Sequence, residues 1–227
     1  MKYIIHSCNK RLWYVKEYLV KSLVKQGINS NDIVIYNDDN NEGNLASWIK
    51  SCKWVVDNLE IEDGCWHLQD DVFVCKNFKD ITMEIAKNKI ICGYVNKSSY
   101  KNHCIINTNY IASQEGIVDS FQCIYIPNYI LKDFIKWFEE NVVSGKKFQK
   151  QYKENKYDDY LFKQFIRNTQ GIIAINLNPS LVEHIDYILG GSIVNESRTI
   201  TNVAQEFNNY DELEKLKIEI GGKKDGN

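Results

Sequence analysis

Residues 66–75 read WHLQDDVFVC, with apolar residues on both sides of the adjacent acids Asp70 and Asp71. The segment is strand-like on either side of a charged centre. Two ionised carboxylates at a buried strand end repel each other and lose solvation, so they need a cation or donor groups to compensate. A divalent ion bridging a diphosphate meets that need, because oxygen ligands suit Mg²⁺ and Mn²⁺. A solvated turn or a helix cap meets it as well.

Upstream, Lys2 to Cys8 is a short apolar strand. Leu12 to Gln26 carries Leu12, Val15, Leu19 and Leu23 at helical spacing and stops at Gly27. Asp32 to Asn37 is a second buried strand, followed by an acidic and amide-rich loop, Asp38 to Asn44. Leu45 to Leu59 is a helix with Trp48, Cys52, Val55 and Val56 on one side. Downstream, Phe78 to Asn88 is a helix and Ile90 to Val95 a strand. This alternation predicts an α/β domain around a mainly parallel sheet flanked by helices.

Asn96 to Asn109 is polar and loop-like. Ser120 to Ile126 is a strand stopped by Pro127, and Tyr129 to Val142 an amphipathic helix. Ser144 to Tyr157 is lysine-rich and reads as a mobile loop or, at Lys146 to Lys156, as a contact for a polyanion. Asp158 to Asn168 is a helix opening on two acids, Ile172 to Leu177 a last strand, and Glu206 to Leu216 a short helix before a polar end. Trp48, Trp54 and Trp66 read as core; Tyr100, Tyr125, Trp137, Tyr157 and Tyr160 read as more open.

The chain has 227 residues, a formal charge of -2, 44% hydrophobic and 26% charged residues. One compact domain is expected over 1–227. A strongly basic nucleic-acid footprint is absent. The 7 cysteines fall in no C-x-x-C pair, which argues against a zinc site. Free, mostly buried thiols and the lack of a long apolar run predict a cytoplasmic protein without a membrane span. Richness in Lys, Asn and Ile reads as AT-rich coding bias and suits a phage or a low-GC bacterium. Arginine is confined to positions 11, 167 and 198.

In layout the sequence resembles GT-A glycosyltransferases, in particular the branch with the lipooligosaccharide and procollagen galactosyltransferases. Four pieces match in order: Ile5-His6-Ser7-Cys8-Asn9-Lys10-Arg11; Gly43-Asn44-Leu45-Ala46-Ser47-Trp48; Gln69-Asp70-Asp71-Val72; and Tyr157-Asp158-Asp159-Tyr160-Leu161 followed by Asn178-Pro179-Ser180-Leu181-Val182-Glu183-His184-Ile185. Gln69 departs from the family, which has an acid there. The resemblance implies a nucleotide-sugar half at about 1–110, an acceptor and catalytic half at about 111–200, and a tail at about 201–227.

It also implies roles. Asp71 and His184 would hold Mn²⁺ or Mg²⁺, with Asp70 nearer the donor ribose or sugar. Ser7, Arg11, Asn37, Asp38, Gly43, Asn44, Gln69 and Arg198 would contact a nucleotide-sugar, with UDP favoured. Asp159, with Asp158 beside it, would be the base that deprotonates an acceptor hydroxyl, a task a carboxylate within hydrogen-bond reach can perform. Read from the residues alone, the same acids also suit a helix N-cap and first turn, and His184 a strand-end structural histidine. The acceptor stays open among a glycan, a lipid-linked sugar, a protein side chain and a hydroxymethylated base in phage DNA; so does the oligomeric state. A nucleotidyltransferase shares the sheet and paired acids, but His6 to Arg11 has no glycine-rich phosphate loop. A non-catalytic nucleotide-sugar-binding module would need neither Asp159 nor His184.

Overall fold

The computed structural model describes residues 1–60, 63–85, 88–96, 112–113, 118, 121–145, 147–154, 158–191, 204 and 207–224. The first strand, β1 (Lys2–Cys8), is buried over Tyr3, Ile4 and Ile5, which put apolar side chains on both faces. The chain then climbs a helix made of α1 (Leu12–Tyr14), one π-type turn at Val15–Leu19 and α2 (Val20–Lys25). The sequence reads this stretch as one regular helix; the widened turn interrupts it. Gly27 adopts φ +87, a left-handed conformation that suits glycine at a helix end. There follow β2 (Ile33–Asp38), α3 (Asn44–Asn58), β3 (Gly64–Gln69) and β4 (Val72–Val74). After these come α4 (Phe78–Ile85), β5 (Ile90–Cys92), β6 (Ala112–Ser113), β7 (Cys123–Pro127) and α5 (Asn128–Phe138). A second π-type turn at Glu139–Val143 continues α5. The remaining elements are α6 (Gln149–Glu154), α7 (Asp158–Asn168), β8 (Ala174–Asn176), β9 (Val182–His184) and α8 (Tyr210–Lys224).

Seven strands form one sheet in the order β2-β1-β3-β7-β5-β8-β6. Strands β2, β1, β3, β5 and β8 share a direction, while β7 and β6 run against their neighbours. The sheet is thus mainly parallel. β4 and β9 form a separate antiparallel ladder.

Alternation along the strands feeds two cores. Tyr3 and Ile5 of β1 and Trp66 and Leu68 of β3 face one side, where Tyr14, Leu19, Leu23 and, from α8, Leu213, Leu216 and Ile220 cover them. Ile4 and Cys65 face the other, under α3, α5 and α7. That second core is largely aromatic: Trp48, Phe121, Phe134, Phe162 and Phe165 pack with ring centroids 5.0–5.9 Å apart in tilted and edge-on pairs.

Several expectations are corrected. The lysine-rich stretch predicted as a loop contains the helix α6. Tyr125 is buried, because it lies on the central strand β7. The last helix begins at Tyr210 and runs to Lys224, through Gly221 and Gly222, with its apolar stripe docked in the first core. Among the described residues no helix is long and apolar enough to cross a membrane. Cys8, Cys52, Cys65, Cys75, Cys92 and Cys123 form no disulfide among the described residues, and all but Cys8 are buried.

Candidate active site

Parallel strands end together, and here β1, β2 and β3 end on polar residues. Ser7 pairs in register with Asn37, Cys8 with Asp38, and His6 with Gln69. Open α/β sheets bind ligands beyond such strand ends. The chain leaves β3 through a turn at Asp70 and Asp71 and re-enters extended structure as β4. β9 then pairs antiparallel with β4, with Val72 opposite His184, and the Ile185 N–H donates to the Asp71 carbonyl at 2.8 Å. This ladder carries His184 from far along the chain to the acidic turn: its Nε2 lies 3.1 Å from Asp71 Oδ2.

Arg11 completes the cluster. It is only 3% exposed. One guanidinium nitrogen donates to Asp71 Oδ2, and the other donates to the Gly191 carbonyl at 2.6 Å. Asp70 Oδ1 is 3.6 Å from the first nitrogen, and the Cys8 N–H donates to Asp70 Oδ2 at 3.0 Å. Burial alone would raise the Asp71 carboxyl, but the His184 imidazole and the Arg11 guanidinium outweigh it and hold it below the usual carboxylate range. Burial and the Asp71 charge push the Asp70 carboxyl up to about 7, partly opposed by Arg11. Burial works against the Arg11 charge, yet the two carboxylates raise its pKa further.

Around this cluster the loops are held by their own side chains. Asp38 accepts from the backbone N–H groups of Glu42 at 2.7 Å and Gly43 at 2.8 Å, which folds the loop back before α3. Gly43, at φ +93, makes the left-handed entry to that helix, and Asn44 is its first residue. Asn37 Nδ2 donates to Asn9 Oδ1 at 2.7 Å and Asp39 Oδ1 at 2.6 Å. The Ser7 hydroxyl donates to the Cys8 carbonyl at 3.3 Å. The Gln69 N–H donates to the Gln122 carbonyl at 3.1 Å, so the start of β7 borders the site.

On the helical side below, His6 and His67 stack, with Nε2 and Nδ1 2.8 Å apart. Burial lowers both, His6 to about 4, and the His6 ring lowers His67 further, which favours the neutral form of each.

The structure therefore gathers Ser7, Arg11, Asn37, Asp38, Gly43, Asn44, Gln69, Asp70, Asp71 and His184 at one end of the sheet. Asp158 and Asp159 make no described contact with them. They open α7, which packs on α3 and α5 and returns to the start of β8; in an α/β layer this orientation turns the helix N-terminus toward the strand ends. Asp158 is 8% exposed, and burial together with the Asp159 charge pushes its carboxyl up to about 7. Asp159 is more open, with Oδ2 3.1 Å from Lys163 Nζ. Arg198 lies outside the described residues.

Sequence reasoning misses three contributors: the Cys8 backbone, the Gly191 carbonyl and Asp186. Asp186 is 3% exposed, with Oδ1 3.9 Å from His184 Nδ1. Its spacing two residues after His184 was the available signal; backbone donors and acceptors leave none.

The resemblance implies a divalent cation, and the donors present admit one in a restricted way. Asp71 Oδ1 is buried without a hydrogen-bond partner among the described residues. No group of three or more His, Cys, Asp or Glu among them is arranged to hold an ion. Among the described residues, Asp71 and His184 are the side chains that would hold such an ion, and the remaining ligands would be phosphate oxygens and water, as is usual for ions bound with nucleotides.

No protein-family model matches the chain, and no curated protein sequence does. Among solved structures, it is similar to residues 1–349 of TarS from S. aureus, with 14% identity, 84% of this chain and 62% of that chain covered, and a TM-score of 0.50. It also aligns with HddC from Yersinia pseudotuberculosis at 11% identity over 59% of this chain and 80% of that one, with a TM-score of 0.31. The chain spans less than two thirds of the TarS fragment. At this identity the TarS likeness speaks to fold: a mixed α/β, GT-A-like arrangement with a mostly parallel sheet between helices.

Proposed function

We propose that the chain is a sugar-nucleotide-utilising enzyme, a glycosyltransferase that moves a sugar from a nucleotide diphosphate, with UDP favoured, to an acceptor hydroxyl. The observation that carries this reading is the β4–β9 ladder, which sets His184 Nε2 3.1 Å from Asp71 Oδ2 beyond the ends of β1, β2 and β3. Two donors beside a buried guanidinium suit a diphosphate better than a free ion, since phosphate oxygens complete a shell the protein leaves open. Asp71 and His184 would hold Mn²⁺ or Mg²⁺, whose chemistry when bound is to neutralise charge on the departing diphosphate.

Ser7, Asn37 and Gln69 line the strand ends that face the nucleotide. Asp38, Gly43 and Asn44 shape the loop beside it. Arg198 is proposed to cover the diphosphate. Asp159, more accessible than Asp158, accepts the proton of the acceptor hydroxyl as that oxygen attacks the sugar. Nucleotidyl transfer fits less well, because the turn after β1 closes on the buried Arg11 and offers no glycine-rich cradle for a triphosphate.

Isothermal titration with a panel of nucleotide-sugars, with and without Mn²⁺, tests the reading. One donor is expected to bind in the presence of Mn²⁺ and to be hydrolysed slowly without acceptor. Asp71→Asn should lower that hydrolysis by at least about a hundredfold while circular dichroism stays unchanged. No binding by any donor, or full turnover in Asp71→Asn, overturns it.

A further inference from the structure

Arg11 is an odd residue to find in the floor of a cation site. A buried guanidinium and a divalent ion competing for one carboxylate repel each other. Arg11 is nonetheless built in: its side chain is 4% exposed, one nitrogen sits on Asp71 Oδ2, and the other is fixed by the Gly191 carbonyl. It also has somewhere else to go, because Asp70 Oδ1 is 3.6 Å away, within reach of a small side-chain rotation.

Resting on the reading above, we propose that Arg11 is an internal counter-ion that holds Asp71 in the ligand-free protein and shifts toward Asp70 when nucleotide and metal bind together. Arg11 thereby makes metal binding depend on the nucleotide. The charge count supports this order. Asp71 and Arg11, in direct contact, cancel each other's charge, so that pair is compensated in the empty site. A divalent ion added alone leaves a buried excess of positive charge beside the pair. An ion arriving with a diphosphate brings compensating negative charge, and the phosphate oxygens supply ligands that the described residues do not. Arg11 is a positioning residue in this scheme. It sets where the Asp71 carboxylate is available and leaves the chemistry to other groups.

Titration of Mn²⁺ followed by electron paramagnetic resonance, with and without UDP, tests this. In the wild type, UDP should raise Mn²⁺ affinity by at least about tenfold, a coupling of ordinary size for linked ligands. Arg11→Gln should bind Mn²⁺ alone about tenfold or more tightly than the wild type, and UDP should then add less. Equal or weaker binding of Mn²⁺ alone by a folded Arg11→Gln overturns the proposal while leaving the transferase reading intact. Failure of UDP to bind under any condition removes both. Should Arg11→Gln not fold, a crystal structure of the wild type with UDP and Mn²⁺ decides the matter. Arg11 off Asp71 Oδ2 supports the proposal, and Arg11 still on it beside a bound ion refutes it.

Discussion

The two acids that open α7 share a sequence position in all but one step, yet the fold treats them differently. Asp159 keeps solvent and Lys163. Asp158 is buried, and its carboxyl is pushed up to about 7 by that burial and by the Asp159 charge. The folded pKa is above the unfolded one near 3.9, so the folded state binds the extra proton between about pH 4 and 7. Wild-type stability from this group is therefore present at low pH and lost as pH rises through that window. Asp158→Asn keeps an oxygen to accept backbone N–H groups but carries no charge at any pH. Relative to the wild type it should gain about 1–3 kcal/mol between pH 5 and pH 8, read from urea denaturation at both. A wild-type-to-variant difference that does not change with pH would show that Asp158 is not strained by its charge.

At the scale of elements, α8 shows how an unremarkable sequence becomes structural. Leu213, Leu216 and Ile220 face the first core, while Ile218 is 77% exposed. The helix is also tied by polar contacts. Tyr210 Oη is 3.2 Å from Glu183 Oε2, and Asn209 Nδ2 donates to the Val74 carbonyl at 3.1 Å. These contacts brace β9 and β4, the two strands that bring His184 to Asp71. Leu216→Ala should cost about 2–4 kcal/mol in chemical denaturation and Ile218→Ala less than about 0.5, since only the first leaves a cavity. Equal losses would mean that α8 is not docked. The sequence made some elements plain and hid others for physical reasons. β1 and β2 show as continuous apolar runs, and α3 and α7 carry a 3.6-residue stripe. α6 is hidden because its lysines mask any stripe, and the end of α8 because Gly221 and Gly222 disfavour helix. Strand direction leaves no mark on composition, so the reversal of β7 was not readable. In the site, Asp70 and Asp71 stood out because paired acids in an apolar run are costly. The approach of His184 needed a family pattern, because a ladder between distant segments has no local signal. Arg11 was read as a nucleotide contact; its seat between Asp71 and the Gly191 carbonyl joins distant segments and leaves no local signal.

At the scale of the whole molecule, one seven-stranded sheet is shared by two cores, and its strand order bears on whether the nucleotide and acceptor halves are separate units. β7, from the proposed second half, lies between β3 and β5 of the first, and β8 lies beyond β5. The central strands feed both faces: Tyr3 and Ile5 one side and Ile4 the other, Trp66 one side and Cys65 the other. Opening either face exposes strand residues that the opposite core relies on, so the two layers should unfold together. Phe162 tests this from one side. It is fully buried on α7, in edge-on contact with Trp48, Phe121 and Phe134. Phe162→Ala should cost about 3–5 kcal/mol. Hydrogen exchange followed by peptide should report that loss equally in α2 and α8, on the far side of the sheet, and in α5 and α7 beside the cavity. If only α5 and α7 lose protection, the aromatic layer opens on its own. The site at the strand ends would then rest on a half-sheet that survives without it.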